Sequence, residues 1–154
     1  MIEIIKSWMR RCLCLTLGLV SCCFVLTPPA AATPVTNQQV IEVQVRLGNS
    51  ADELKFFPSK IELVAGQRYE LLLDNPSPQK HYFIAKDFAD ASWTQKVEAD
   101  KLEVKGAIHE VEVKPEGEAE WVIVPQKPGT YDLYCSVPGH AEAGMTGKIV
   151  VASQ

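Results

Sequence analysis

Short runs of alternating or continuous apolar residues recur through the last three quarters of the chain, and turn-forming residues separate them. This spacing favours many short antiparallel strands over a parallel sheet covered by helices. We therefore predict an all-β sandwich of seven or eight strands. The strand-like runs are residues 40–46, 54–57, 60–64, 68–73, 81–85, 107–113, 119–124, 130–135 and 147–151.

One interval, residues 87–101, interrupts this rhythm. It contains neither proline nor glycine. Several of its apolar residues share part of one helical face, a spacing that differs from the alternation of the neighbouring runs. These residues are Phe88, Ala91, Trp93 and Val97. We predict a short helix or flap in this interval, set on an otherwise β-rich domain.

The first 32 residues have the order of an export signal. A basic start ends at Arg10 and Arg11, an apolar stretch covers residues 12–26, and Ala30 and Ala32 fit the small-x-small rule for cleavage. We therefore predict a signal peptide over residues 1–32, a flexible mature start over 33–39 and one folded domain over 40–154. Export would place that domain in the periplasm or an equivalent lumenal space.

Two other fates of the leader remain open. Residues 19–22 resemble the box that precedes the lipidated cysteine of bacterial lipoproteins, so Cys22 is a candidate lipid anchor. The apolar stretch is shorter than the roughly twenty residues of a membrane helix, but an uncleaved anchor that extends into the following alanines is a further alternative. Any contact with a membrane would then run through this N-terminal segment.

Charge argues against nucleic acid as a partner. The whole chain has a formal net charge of −4, and residues 33–154 carry 12 basic and 18 acidic residues, a net charge of −6. Such a surface repels phosphate groups and instead steers encounters with basic patches on other proteins.

The length of 154 residues is that of a single domain. We expect a monomer.

The predicted domain retains a single cysteine, Cys135, because the other four lie in the leader. A lone thiol in an oxidising compartment is exposed to oxidation unless it is buried or bound to a metal. Cys135, His140 and Met145 form a Cys-x4-His-x4-Met pattern in a turn-rich loop between two predicted strands. Thiolate, imidazole and thioether suit copper, and a His2Cys site with a weak axial methionine is an electron-transfer centre.

A second histidine is needed to complete such a site, and the chain offers His81 and His109. His81 lies where a turn enters the apolar run 82–85, a position from which a side chain can reach a metal. His109 lies in an alternating stretch, on the same face as Val111 and Val113. The context favours His81 and leaves His109 as the alternative.

This loop resembles the ligand loop of the cupredoxins, the blue copper proteins, and in particular of members with the Cys-x4-His-x4-Met spacing such as rusticyanins and auracyanins. Residues 57–66, and Asn75 ahead of His81, are also similar to stretches of small bacterial cupredoxins. The resemblance covers most of residues 40–152. It implies a Greek-key β-sandwich that binds one type 1 copper ion. The implied ligands are His81, Cys135, His140 and Met145.

The resemblance also implies how the site is supported and used. Many cupredoxins have asparagine directly after the first ligand histidine, whereas this chain has Tyr82, so the clamp by that side chain is lost and only the amide remains. Proline stands three residues after Cys135, so Val137 keeps its N–H, and we expect the amides of Tyr82 and Val137 to donate to the sulfur. Redox partners would dock transiently on a small apolar patch around His140.

Two functions of different class follow from these observations. The first is a one-electron carrier between redox proteins, and the second is an extracytoplasmic protein that delivers or sequesters copper. Delivery benefits from exposed sites rich in methionine or histidine, and the predicted domain has one methionine and three histidines, which favours the carrier. We expect no enzymatic activity, because copper oxidases and nitrite reductases need further histidines for additional copper ions.

Overall fold

Eleven strands and one short helix make up the part of the chain that the computed structural model describes, residues 39–100, 102–104, 106 and 108–154. The predicted signal peptide and residues 33–38 of the predicted mature start lie outside the described residues. Among the described residues, no helix has the length and apolar character needed to cross a membrane. The elements are β1 (Ile41–Leu47), β2 (Phe56–Phe57), β3 (Lys60–Val64), β4 (Tyr69–Asp74), β5 (His81–Ile84), α1 (Lys86–Asp90), β6 (Ser92–Ala99), β7 (Leu102–Val104), β8 (Glu110–Val113), β9 (Glu118–Pro125), β10 (Gly129–Tyr134) and β11 (Thr146–Ala152).

The strands form two mixed sheets. The first has the order β2-β1-β4-β9-β6-β7, and the second has the order β3-β11-β10-β5-β8. Most neighbours are antiparallel, but β1 runs parallel to β4 and β3 runs parallel to β11. The all-β sandwich predicted from the alternation of apolar residues is therefore confirmed. The strands outnumber the seven or eight predicted, mainly because β6 and β7 were not foreseen.

The core lies between the two sheets and follows the period of two. In β4, the buried residues Tyr69, Leu71 and Leu73 alternate with half-buried ones. The centre of the core is aromatic, since the ring of Phe83 meets the rings of Phe56 and Trp121 edge to face, each at a centroid distance of 6.0 Å. Burial of these large side chains is the main favourable contribution to folding. It also gives β5, which begins at His81, a rigid support.

The prediction for residues 87–101 is correct only for its first part. Helix α1 covers Lys86–Asp90, but Ser92–Ala99 is strand β6, which pairs with β9 and β7. A β-bulge between Thr94 and Lys96 adds one residue to β6, so that the buried Thr94 and Val97 are three positions apart. The apolar residues that suggested one helical face are divided between two elements, since Phe88 lies in α1 whereas Trp93, which is 46% exposed, and Val97 lie in β6.

The bulged strand provides a test of how a buried polar group contributes to stability. The indole N–H of Trp121 donates to Oγ1 of Thr94 at 3.1 Å, and both side chains are buried. Thr94→Val keeps the shape but leaves the N–H unpaired, and we expect it to lower the free energy of unfolding by about 1–3 kcal/mol. Urea denaturation followed by circular dichroism measures this loss. The control Thr130→Val, on an exposed strand position, should change stability by less than about 0.5 kcal/mol. Equal losses in the two variants would contradict this role of Thr94.

Candidate metal centre

Three neighbouring strands of the second sheet bring the candidate ligands to one end of the sandwich. His81 is the first residue of β5, Cys135 directly follows β10, and Met145 directly precedes β11. In the sheet, β10 lies between β11 and β5. The fourth candidate, His140, lies in the loop that joins β10 to β11. One ligand therefore comes from a separate strand and three come from a single connection.

The loop of residues 135–145 is held by its own backbone. The N–H of Cys135 donates to the carbonyl of Met145 at 3.2 Å, and the N–H of Met145 donates to the carbonyl of His140 at 2.9 Å. A turn inside the loop is closed by a hydrogen bond, in which the N–H of His140 donates to the carbonyl of Val137 at 3.0 Å. Gly139 has a φ of +86°, a left-handed conformation that costs glycine little. The positions of the loop ligands thus depend on backbone bonds within the protein.

Three of the candidate side chains converge on one point. The ligand atoms of His81, Cys135 and His140 all lie within 4.8 Å of one another. The Sγ atom of Cys135 is 3.9 Å from Nδ1 of His81 and 3.6 Å from Nδ1 of His140. His81 and Cys135 are 0% exposed, and His140 is 6% exposed. The side chain of Met145 is also fully buried and belongs to the core.

The alternative histidine, His109, lies outside this cluster. It precedes β8, so the alternation that was expected to orient it does not extend to it. Its side chain is 43% exposed, and Nε2 lies 2.7 Å from a carboxylate oxygen of Asp90 at the end of α1. Of the two histidines that the sequence left open, the structure brings only His81 to the cysteine.

The electrostatics of the cluster favour a neutral imidazole. Burial lowers the pKa of His81, the neighbouring His140 lowers that pKa further, and Asp52 acts in the opposite direction. A neutral ring keeps a lone pair on one nitrogen, and metal ions bind histidine in that form. His81 therefore needs to release little or no proton at neutral pH to act as a ligand.

The sulfur of Cys135 has one of the two backbone donors that the sequence predicted. The N–H of Tyr82 donates to Sγ at 3.4 Å, so the change from asparagine to tyrosine leaves this contact intact. Among the hydrogen bonds of the described residues, none joins the amide of Val137 to the sulfur, and that expectation is wrong. Val137 instead contributes its carbonyl to the turn that carries His140.

Sequence reasoning placed a turn ahead of His81 but did not foresee that its polar side chains are buried and hydrogen-bonded. Asn75 and Ser77 are both 0% exposed. Nδ2 of Asn75 donates to the carbonyls of Gln79 at 2.8 Å and Val113 at 2.9 Å, while its Oδ1 accepts the N–H of Ser77 at 3.1 Å. These bonds attach the turn to β8. The sequence signal was a pair of small polar residues around Pro76, four to six positions ahead of His81.

The donor atoms of the cluster are of the kinds that bind one copper ion. Two imidazole nitrogens and one thiolate, followed in the same loop by a buried thioether, are the donors of one type 1 copper site. A zinc site built for structure would more often have four cysteine and histidine ligands. Burial also keeps water from the thiol, which protects it from oxidation.

A β-sandwich with such a cluster at one end defines a cupredoxin. The chain belongs to the cupredoxin-like domain family, whose model matches residues 16–151. The family resemblance seen in the ligand loop is therefore confirmed.

Two solved structures share the fold: a reduced auracyanin from Roseiflexus castenholzii and auracyanin A from Chloroflexus aurantiacus. The first has a TM-score of 0.52 at 20% identity and covers 72% of this chain and 96% of its own. The second has a TM-score of 0.52 at 24% identity and covers 73% and 99%.

Sequence relatives come from plants and from a bacterium. The chain is 34% identical over 124 residues to the chloroplastic plastocyanin of Fritillaria agrestis, an alignment that covers 79% of this chain and 66% of the plastocyanin. It is 29% identical over 104 residues to the copper-resistant cuproprotein CopI of Rubrivivax gelatinosus, covering 66% of this chain and 62% of that protein. The chain thus spans slightly less than two thirds of the length of these relatives.

Proposed function

We propose that the protein is exported, binds one copper ion and acts as a one-electron carrier between redox proteins. The proposed ligands are His81, Cys135, His140 and Met145. Copper supplies a couple between Cu(II) and Cu(I) when it is bound, and the protein supplies a fixed set of donors. We further propose that the protein is not an enzyme and acts as a monomer.

The observation that carries this proposal is the assembly of the donors in the protein itself. Nδ1 of His81 and Nδ1 of His140 lie 3.9 and 3.6 Å from the cysteine sulfur, in buried positions. The loop that carries Cys135 and His140 is closed by backbone bonds. Side chains that are already in place have little to rearrange when the charge of the site changes, and fast electron transfer requires small rearrangement.

The surroundings of His140 support transient contact with partners. Val137 and Ala141 are half-buried beside it, and Pro138 and Ala143 are exposed. A small apolar surface suits brief docking rather than a stable complex. The excess of acidic residues favours partners with basic patches around their own docking site.

The cellular location belongs to the same proposal. Residues 1–32 are proposed to direct export, with a lipid anchor at Cys22 or an uncleaved anchor as the alternatives. The protein would then work in the periplasm or in an equivalent lumenal space. The similarity to plastocyanins described as chloroplastic supports a compartment of this kind.

The proposal is tested by adding Cu(II) to the purified protein. We expect an intense visible band from charge transfer between the thiolate and copper, a reversible voltammetric wave and slow loss of copper to a chelator.

A second function, copper delivery or sequestration, is favoured by the similarity to the copper-resistant cuproprotein CopI. Colourless binding of Cu(I) alone, with rapid surrender to a chelator, would overturn the carrier and support that second function.

Met145, the proposed thioether ligand, allows a separate prediction about the reduction potential. Met145→Leu removes the thioether but nearly preserves the volume of a fully buried side chain. Because Cu(I) tolerates three donors better than the more strongly Lewis-acidic Cu(II), loss of the fourth donor would cost Cu(II) more. We expect Cu(II) affinity to fall about tenfold relative to Cu(I), which raises the potential by about 59 mV. Voltammetry measures the shift. Leu71→Met, in the core of the first sheet, is the control and should leave the potential unchanged. An equally unchanged potential in Met145→Leu would exclude Met145 as a ligand.

A further inference from the structure

The hydroxyl of Ser77 contacts the ring nitrogen of His81 that faces away from the cysteine. Oγ of Ser77 lies 2.9 Å from Nε2 of His81, and both residues are 0% exposed. The same oxygen lies 3.1 Å from the carbonyl of Gln79 and accepts the N–H of Gln79 at 3.0 Å. The ring is therefore connected to a buried serine that has two further bonds to the backbone.

These contacts favour one position for the ring hydrogen of His81. If Ser77 donates to the carbonyl of Gln79, its oxygen accepts two hydrogens, from the amide of Gln79 and from Nε2 of His81, and three bonds are made. If Ser77 instead donates to Nε2, its bond to the carbonyl is lost, and the hydrogen on Nδ1 has only the cysteine sulfur, 3.9 Å away, as a partner. In the second arrangement Asn75 still donates to that carbonyl, but the contact of the Nδ1 hydrogen with sulfur is long and weak. The first arrangement is favoured because it makes one more hydrogen bond of normal length. It leaves Nδ1 of His81 without a hydrogen, 3.9 Å from Sγ of Cys135.

The backbone at the end of β1 closes the other side of this pair. Gly48 has a φ of +76°, and its N–H donates to the carbonyl of Lys55 at 2.8 Å. A Cβ at this position would lie 2.9 Å from Nε2 of His81 and 3.0 Å from Cβ of Ser77. Any side chain would displace the imidazole or the serine, so the backbone of Gly48 acts as a stop against which the ring packs.

We propose that Ser77 is a positioning residue that fixes His81 in the tautomer with hydrogen on Nε2, so that the lone pair of Nδ1 points into the cluster before any metal binds. Its relevance to copper rests on the proposed function, in which His81 is a ligand. The tautomer itself is a property of the protein alone. Outer partners of ligating histidines typically contribute 10–100-fold to metal affinity.

The direct test is nuclear magnetic resonance of the metal-free protein with nitrogen-15 in its histidines, at a pH where His81 is neutral. We expect His81 as the single tautomer with hydrogen on Nε2, and a ring hydrogen that exchanges slowly with water. His140 is an internal reference, because among the hydrogen bonds of the described residues its ring has a contact with the cysteine sulfur and none with a hydroxyl. A hydrogen on Nδ1 of His81 would overturn the proposal. This measurement uses the unmodified protein and needs no variant.

Variants test the role of the serine. In Ser77→Ala we expect at least about tenfold faster exchange of the ring hydrogen and about 10–100-fold weaker Cu(II) binding, and Ser77→Thr, which retains the hydroxyl, should restore both. Ser92→Ala is the matched control, since the Ser92 hydroxyl donates to the carbonyl of Phe88 at 2.7 Å, outside the cluster. Unchanged exchange and affinity in Ser77→Ala would also overturn the proposal.

The two proposals fail in different ways. If His81 has the expected tautomer but the protein forms no coloured thiolate complex with copper, the proposed function is overturned. The positioning of His81 by Ser77 then still stands. A blue protein whose His81 carries its hydrogen on Nδ1 in the metal-free state would overturn the positioning role and leave the carrier intact.

Discussion

Cys135→Ser is expected to abolish the visible charge-transfer band and to weaken Cu(II) binding by more than about 100-fold, beyond the usual effect of losing an outer partner. The sulfur is the donor in contact with both histidine nitrogens, at 3.9 and 3.6 Å. A serine hydroxyl is a harder donor and keeps its hydrogen at neutral pH, so it cannot replace a thiolate. Absorption spectroscopy and a competition titration with a copper chelator measure the two effects.

The interpretation of this variant depends on an intact fold. Serine has nearly the size of cysteine, and circular dichroism should show the sandwich unchanged in the metal-free protein. Ser136→Ala, at an exposed position next in the chain, is the matched control and should retain the full band and affinity. Retention of the band in Cys135→Ser would exclude the cysteine as the source of the colour.

The second large effect separates the two histidines that the sequence left open. His81→Ala removes a donor from the cluster, and we expect loss of the blue spectrum and a fall in Cu(II) affinity of more than about 100-fold. His109→Ala removes an exposed side chain that pairs with Asp90, and we expect an unchanged spectrum and affinity. Absorption and electron paramagnetic resonance of the Cu(II) proteins measure both variants under the same conditions.

This pair of variants controls for general effects of losing a histidine. Urea denaturation of the metal-free proteins should be measured alongside, because His81 is buried and its truncation leaves a cavity. The assignment would be reversed if His109→Ala lost the blue spectrum while His81→Ala kept it. Loss in both variants would mean that the contact of His109 with Asp90 affects the centre indirectly.

The fold was predictable where burial follows the period of two. In β3 and β8, the alternation of apolar and polar residues in the sequence matches the two faces of the strand. The pattern failed in β6, since the bulge at Thr94 shifts the buried positions and no local signal marks it. The strand conformation of β6 depends on its pairing with β9, which is distant in the sequence, and the spacing of its own residues does not indicate that pairing.

The site was predictable to the extent that it is local. Cys135, His140 and Met145 stand close together in one loop, so their chemistry is visible as a spacing. His81 was indicated only by its turn and by the small number of histidines. Ser77 escaped notice because its contact with His81 depends on how the turn folds and on the approach of β1, which a linear pattern does not contain.

The central claim is that two histidines, one cysteine and one methionine from two distant parts of the chain bind a single copper ion without rearranging. A pair of crystal structures of the Cu(II) and Cu(I) proteins, with copper located by its anomalous scattering, tests it most directly. We predict one copper bound by Nδ1 of His81, Sγ of Cys135, Nδ1 of His140 and Sδ of Met145, with these side chains in the same positions in both states. Copper at another site, a ligand other than these four, or a shift of the His81 ring between the two states would contradict it.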